Sequence, residues 1–126
     1  MKSFMDKKNT KELLEYIIQS IDLIQKRFLA VKQSDDFMKD DEGLEKLDSI
    51  SMRLQSIGEA LKNIYKTDPH VLEAIAPKTY WSDIIKFREV ISHHYIDIDS
   101  EVVYEICHDE LDALKEKISV ALKLER

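Results

Sequence analysis

The stretch ELLEYIIQSIDLIQKRFLAV, Glu12–Val31, decides the fold class. Its apolar residues Leu14, Ile17, Ile18, Ile21, Ile24, Phe28 and Val31 recur at intervals of three and four, apart from the adjacent Ile17–Ile18 pair. At about 3.6 residues per turn this is one stripe along a helix of roughly six turns, which Leu13, Leu23 and Leu29 widen. Asn9 or Thr10 is placed to cap it, with Glu12 in its first turn. A stripe of that length needs partner helices to cover it.

The rest of the chain supplies them. SDDFMKDDEG, Ser34–Gly43, breaks the period with acids and a glycine and reads as a loop. A second helix follows, with Leu44, Leu47, Ile50, Leu54, Ile57, Leu61 and Ile64 on one face. Gly58 lies inside it, where glycine costs about 1 kcal/mol relative to alanine; close approach of a neighbouring helix is the expected compensation. Asp68-Pro69 opens a short helical turn through HVLEAIA, with Asp68 as cap and Pro69 in the first position, and Pro77 closes it. Ser82 or Asp83 opens a third long helix through Ile84, Ile85, Phe87, Arg88 and Ile91. YIDIDSE, Tyr95–Glu101, alternates apolar and acidic residues; with no partner strand in sight it reads as an extended connector. Ser100 caps a last helix striped by Val103, Ile106, Cys107, Leu111, Leu114, Ile118 and Leu122. The expectation is an all-α chain, a single domain over residues 1–126. Its architecture is an antiparallel four-helix up-and-down bundle with an additional short helix.

Composition agrees. Of 126 residues, two are glycine and two proline, too few for the many turns of a closed β architecture. Hydrophobic residues make up 44% and charged residues 35%, the balance of a charge-laced helical protein. No apolar run approaches the roughly 20 residues of a membrane span, and MKSFMDKKNTKELLEY lacks the apolar centre of a signal peptide. Cys107 is the one cysteine, which gives no disulfide framework. A cytoplasmic protein is expected.

The net charge of −6 argues against indiscriminate nucleic-acid binding. Its distribution is uneven. Arg53–His94 carries six basic and five acidic residues, whereas Tyr95 to the end carries four and nine. A phosphate ligand is therefore expected at the middle of the chain, and the acidic remainder suits a basic partner.

Within that middle, FREVISHHY (Phe87–Tyr95) concentrates an arginine, two histidines and a tyrosine. Arg88 and His93 are five residues apart, about 140° around a straight helix. They converge on one substrate atom only if the helix ends or bends near Ser92, or if a second chain completes the site across a two-fold axis. Histidine exchanges protons near neutrality, and arginine grips phosphate oxygens with a fixed fork of donors. That pair suits RNA cleavage without a metal: the histidine activates a ribose 2′-hydroxyl and the arginine stabilises the transition state. Tyr95 is suited to stack on a base, donate a hydrogen bond or offer its hydroxyl for modification.

The same residues equally suit a solvated helix face, with Glu89 and His93 as an ordinary pair four residues apart. His93, His94 and His108 suggest a metal, but adjacent histidines on a helix diverge, and no carboxylate–histidine spacing supports it. No cofactor or metal is expected. Trp81 and Tyr80 read as core or interface anchors, His70 as part of a turn, and Cys107 as packing.

Arg88, four residues, His93, one residue, Tyr95 resembles the R-x4-H-x-Y motif of HepT-type toxins in the HEPN superfamily. The resemblance extends to Gln55–Leu61 (QSIGEAL), to Trp81–Ile85 (WSDII) and to Asp99–Ile106 (DSEVVYEI), and spans roughly Leu44 to Leu122. It implies a helical bundle that dimerises, with paired motifs lining a shared cleft, and a metal-independent endoribonuclease. It also implies a partner, an MNT-type nucleotidyltransferase antitoxin that transfers AMP to the motif tyrosine. Carried over, Arg88 and His93 are the catalytic pair and Tyr95 the adenylylation target. One departure is Glu89, where the family commonly has Asn. Its carboxylate either repels RNA or holds Arg88 or His93 and raises the histidine pKa. A binding module that keeps the partner without turnover is the alternative. His94 is given no role beyond a phosphate contact.

Overall fold

The computed structural model describes residues 8–94 and 97–125, with the backbone alone at 92–94 and 97. Helix α1 runs Thr10–Phe28. A 3-10 turn at Ser34–Phe37 leads into α2, Asp41–Thr67, followed by the short α3, Pro69–Glu73. Then come α4 (Lys78–Ile85), α5 (Phe87–Ile91), a two-stranded hairpin of β1 (Ser92–His94) and β2 (Asp97–Ile98), α6 (Ser100–Asp109) and α7 (Leu111–Leu124). The chain is a helical bundle, as its periodicity requires. No helix among the described residues is long and apolar enough to cross a membrane.

Helix starts follow local chemistry. Asn9 caps α1: its side chain accepts from the Glu12 amide (2.8 Å) while Glu12 accepts from the Asn9 amide, a reciprocal box that satisfies two otherwise orphaned donors. Asp40 caps α2 by accepting from Gly43 at 2.8 Å. The Ser34–Gly43 segment is thus shorter as a loop than its composition suggests, because Asp41–Gly43 already belong to the helix. Gly43 is required there, since a Cβ would overlap the carbonyl oxygen of Asp36. Asp99, not Ser100, caps α6 through the amides of Glu101 and Val102. Asp68 stands at the N-cap of α3, where its carbonyl accepts from the Val71 amide (3.2 Å) but its side chain bonds no helix amide; the carboxylate instead accepts from Thr10 Oγ1 at 3.0 Å and pairs with His70 at 3.1 Å.

Those contacts also fix direction. The Thr10–Asp68 bond sets the start of α1 beside the end of α2, and Gln25 near the end of α1 donates to Asp112 at the start of α7 (2.7 Å). Both pairs are antiparallel. One apolar core runs between them, with Leu14, Ile17, Ile21, Ile24, Ile50, Leu54, Ile57, Leu61, Ile64 and Ile118 inaccessible to solvent. Leu44 departs from its stripe and is 39% exposed. Trp81 is fully buried, and its indole N–H donates to the carbonyls of Leu72 (2.9 Å) and Ala76 (3.1 Å), which locks α4 to the α3 turn.

Two helices expected to be continuous are broken. The third begins at Lys78, earlier than Ser82, and is interrupted at Lys86 before α5. Ile84, Phe87 and Ile91 are all buried across the interruption, so the apolar period survives it and hides it from the sequence. The last helix kinks at Glu110 between α6 and α7. Asp97–Ile98 also differs from the expected connector: it pairs antiparallel with Ser92–His94, in the register Ser92 to Ile98 and His94 to Asp97. The partner strand was the motif itself.

Candidate functional site: the groove between α2 and α5

Gly58 positions the site. A Cβ at Gly58 would lie 3.0 Å from the Ile84 carbonyl oxygen and 3.1 Å from that of Ile85, so the absent side chain lets the end of α4 press onto α2. The close approach expected from a glycine inside a helix is present. Directly after the contact the backbone turns at Lys86, whose amide still bonds the Ser82 carbonyl (3.1 Å), and α5 restarts when Glu89 bonds the Lys86 carbonyl (2.9 Å). Phe87 and Ile91 anchor α5 in the core and leave Arg88, Glu89 and Val90 exposed.

A groove of about 690 Å³ lies along this junction. Helix α2 supplies one wall with Met52, Gln55, Ser56, Glu59 and Lys62; Ile85, Lys86, Arg88 and Glu89 supply the other. Among the described residues, Lys62, Lys86 and Arg88 form no ion pair, although two carboxylates line the same groove. Exposed cations of this kind are available to an anionic ligand. The Glu89 carboxylate has no ion-pair or hydrogen-bond partner among the described residues, so in this state it does not hold Arg88.

The α5 helix ends at Ile91, and the amide of Asp99 bonds the Ile91 carbonyl at 2.7 Å, which returns the chain to α6. His93 therefore stands on strand β1 rather than on a continuation of the helix. The 140° separation of a straight helix does not apply, because the helix stops before it. The side chains of His93 and His94 and the whole of Tyr95 lie outside the described residues.

Comparison with known proteins fits this arrangement. The family model for HepT-like proteins, described as ribonuclease HepT-like, matches residues 9–121. The chain belongs to the HepT-like family, within the HEPN superfamily. A relative from Thermococcus cleftensis named "Probable ribonuclease HepT" is 30% identical over 112 residues, covering 88% of this chain and 94% of that one. A Caldanaerobacter subterraneus subsp. tengcongensis protein named "Putative RNase" is 26% identical over 120 residues, covering 94% and 99%. The chain spans about half, 47%, of a Methanocaldococcus jannaschii protein named "Gamma-glutamylcyclotransferase and putative RNase", at 28% identity over 112 residues. No solved structure gives a significant match.

Other candidates of this HepT-like chain resolve as packing or surface. Trp81 is core, and Tyr80 meets it edge-on at 5.0 Å under the Lys117 ammonium. His70 is exposed beside Asp68. Cys107 is buried, and burial pushes its thiol up to about 12, so it is inert at neutral pH. His108 is exposed, stacked on Tyr104 and bonded to Asp109 at 2.7 Å. Among the described residues no group of three or more His, Cys, Asp and Glu is arranged to hold a metal ion. The α2 wall was missed as a site: Gln55–Leu61 entered only through the resemblance, and Met52, Gln55, Ser56, Glu59 and Lys62 were given no functional role, because they lie on a helix away from the motif.

Proposed function

We propose that this HepT-like protein is the ribonuclease toxin of a toxin–antitoxin pair, a metal-independent endoribonuclease acting as a homodimer. The observation that carries the reading is Arg88, exposed and without an ion-pair partner in the groove, on a helix that stops two residues before His93. His93 takes the proton of a ribose 2′-hydroxyl; the oxygen attacks the adjacent phosphorus in line, and the bond to the 5′-oxygen breaks. The products are a 2′,3′-cyclic phosphate and a 5′-hydroxyl. Arg88 stabilises the added charge of the pentacoordinate transition state.

Val90, 45% exposed beside Arg88, and Met52, 70% exposed in the groove, leave apolar surface that a second copy would cover. Such a copy brings a second Arg88 and His93 to the same cleft. Adenylylation of Tyr95 by an MNT-type nucleotidyltransferase antitoxin, with pyrophosphate leaving, places phosphate charge two residues from His93 and occupies the cations meant for RNA. The cytoplasm, where RNA and ATP are both found, is the compartment this requires.

The purified protein, freed of adenylylation, should cut cellular RNA in the presence of EDTA and leave cyclic-phosphate ends. His93→Ala should abolish cutting while the dimer stays folded. Co-expression with the nucleotidyltransferase should add one or more AMP masses, lost in Tyr95→Phe. Wild-type protein that cuts nothing would instead support a partner-binding module, for which Glu89 beside Arg88 gives a physical reason.

A further inference from the structure

We infer that Lys62 and Lys86, with Gln55 and Ser56 between them and Met52, form a track that carries a short single-stranded stretch of RNA backbone past Arg88. The inference rests on the ribonuclease reading and adds to it the path and the form of the substrate. Lys62 and Lys86 are exposed, face one groove from opposite walls, and share it with Arg88. What sets the groove lysines apart is their convergence with Arg88 on one groove, since among the described residues ion pairs are formed by only a few lysines, such as Lys39 with Asp36 at 3.4 Å and Lys115 with Asp22 at 2.7 Å. Among the described residues the groove lysines make no such pair, with Glu59 and Glu89 in the same groove. Unpaired cations lose least when a phosphate arrives, because no existing ion pair is broken.

Length sets the form of the ligand. From Gln55 to Lys62 the α2 wall rises seven residues, about 10 Å at 1.5 Å per residue. One turn of a duplex is about 34 Å long, so this wall follows a few nucleotides of a single strand and not the face of a double helix. Side matters too. Across α4–α5 lies a second groove, which Lys86 also borders but in which Asp83, Glu105, Asp109 and Glu110 outnumber it four to one; it repels phosphate and confines the strand to the α2 side. Lysine contributes a point charge and no base pattern, so the track binds without sequence preference, and Gln55 and Ser56 add uncharged hydrogen-bonding groups beside it.

The test uses the full-length dimer and a fluorescent 2′-O-methyl RNA of mixed sequence, which has no nucleophile and stays intact. Affinity is read against salt concentration, and cleavage of the unmodified strand is read in parallel. Each of Lys62→Ala and Lys86→Ala should lower the slope of log affinity on log salt by about 0.7 per lost phosphate contact. KM should rise severalfold with kcat unchanged, and Lys62→Arg should restore both. Both sites are exposed, and circular dichroism with sedimentation confirms that each variant is folded and dimeric. A double variant with unaltered slope and KM, in a protein that still needs Arg88 to cut, overturns the track and leaves the ribonuclease standing. A fall in kcat without a change of slope marks a structural role and overturns it equally. Wild-type protein that neither binds the probe nor cuts RNA overturns both readings together.

Discussion

Two grooves flank the α4–α5 segment, and they are opposite in chemistry. On the α2 side, about 690 Å³ of space is lined by Lys62, Lys86 and Arg88, which outnumber Glu59 and Glu89 and form no ion pair among the described residues. On the α6 side, about 310 Å³ is lined by four carboxylates over an apolar floor of Phe87, Val90, Val102 and Ile106. Lys86 stands on the divide and touches both. A helix with its side chains is about 10 Å across, longer than the Debye length of about 8 Å at physiological salt. The two fields therefore act almost independently. A chain of net charge −6 can offer a local surface that attracts phosphate, and net charge alone is the wrong scale on which to judge a ligand.

Arg88→Ala tests the contrast most severely. On the proposed mechanism it removes the transition-state donor, and cleavage should fall by about 10²–10³-fold, the usual cost of one such group. Initial rates on a defined RNA measure it, with sedimentation showing whether the variant keeps the assembly state of the wild type. A rate within about tenfold of wild type would mean that the α2-side groove is not the reacting site.

Gly58→Ala should have the next largest effect. The new Cβ meets the carbonyl oxygens of Ile84 and Ile85, backbone that Trp81 holds in place. Strain of about 1–3 kcal/mol outweighs the gain of about 1 kcal/mol in helix propensity, so stability falls by about 0–2 kcal/mol. Activity should fall more, about tenfold, because α5 shifts by tenths of an ångström relative to α2 and carries Arg88 with it. Gly43→Ala is the control. Its Cβ overlaps the Asp36 carbonyl far from the groove, so it should cost stability and leave the activity of each folded molecule unchanged.

That pair of glycines also shows how far the sequence could be read. Gly58 announced a close approach because a glycine inside a helix needs a reason, and the reason was found. Gly43 looked like a loop residue because acids surround it, and nothing local reveals that a 3-10 turn crosses over it. The helix stripes were legible, since burial imposes a period. The interruption at Lys86 was not, because Ile84, Phe87 and Ile91 keep that period across it. Arg88 stood out by its chemistry, and the structure places it on the groove beside Lys62 and Lys86. Lys62, on a different helix and in no motif, became part of a groove only through the contact at Gly58.

Cys107 reports on the packing of α6 against α1, away from the acidic groove. It lines a pocket with Gln25, Phe28, Val31 and His108, and burial raises its thiol from 9.0 to about 12. The folded state prefers the neutral thiol, so its contribution to stability is complete below about pH 9 and is lost as pH rises toward 12. The unfolded thiol ionises first, and at pH 10 the loss is roughly 1 kcal/mol. Urea unfolding of Cys107→Ala should fall less steeply with pH over that range. Tyr65, also raised to about 12, by burial and then by its hydrogen bond to Glu73, is lost over the upper part of the same range, and Tyr65→Phe separates the two. Equal slopes in wild type and Cys107→Ala would show that the packing between α1 and α6 is open to water.

The smallest effect is expected from neutralising the acidic groove, and its dependence on salt makes it informative. Glu105→Gln removes one exposed carboxylate from the α6 side. At about 0.15 M salt its field is screened before it reaches the α2 groove, so KM for RNA should change by less than about twofold. At about 0.01 M the Debye length grows to about 30 Å and spans both grooves, and the same substitution should then lower KM measurably. Arg88→Ala should behave in the opposite way, with a loss of rate at both salt concentrations, because contact with the reacting phosphate is not screened. If Glu105→Gln alters KM as strongly at high salt as at low, the RNA reaches the α6 side directly. The two grooves would then form one surface wrapped around α5.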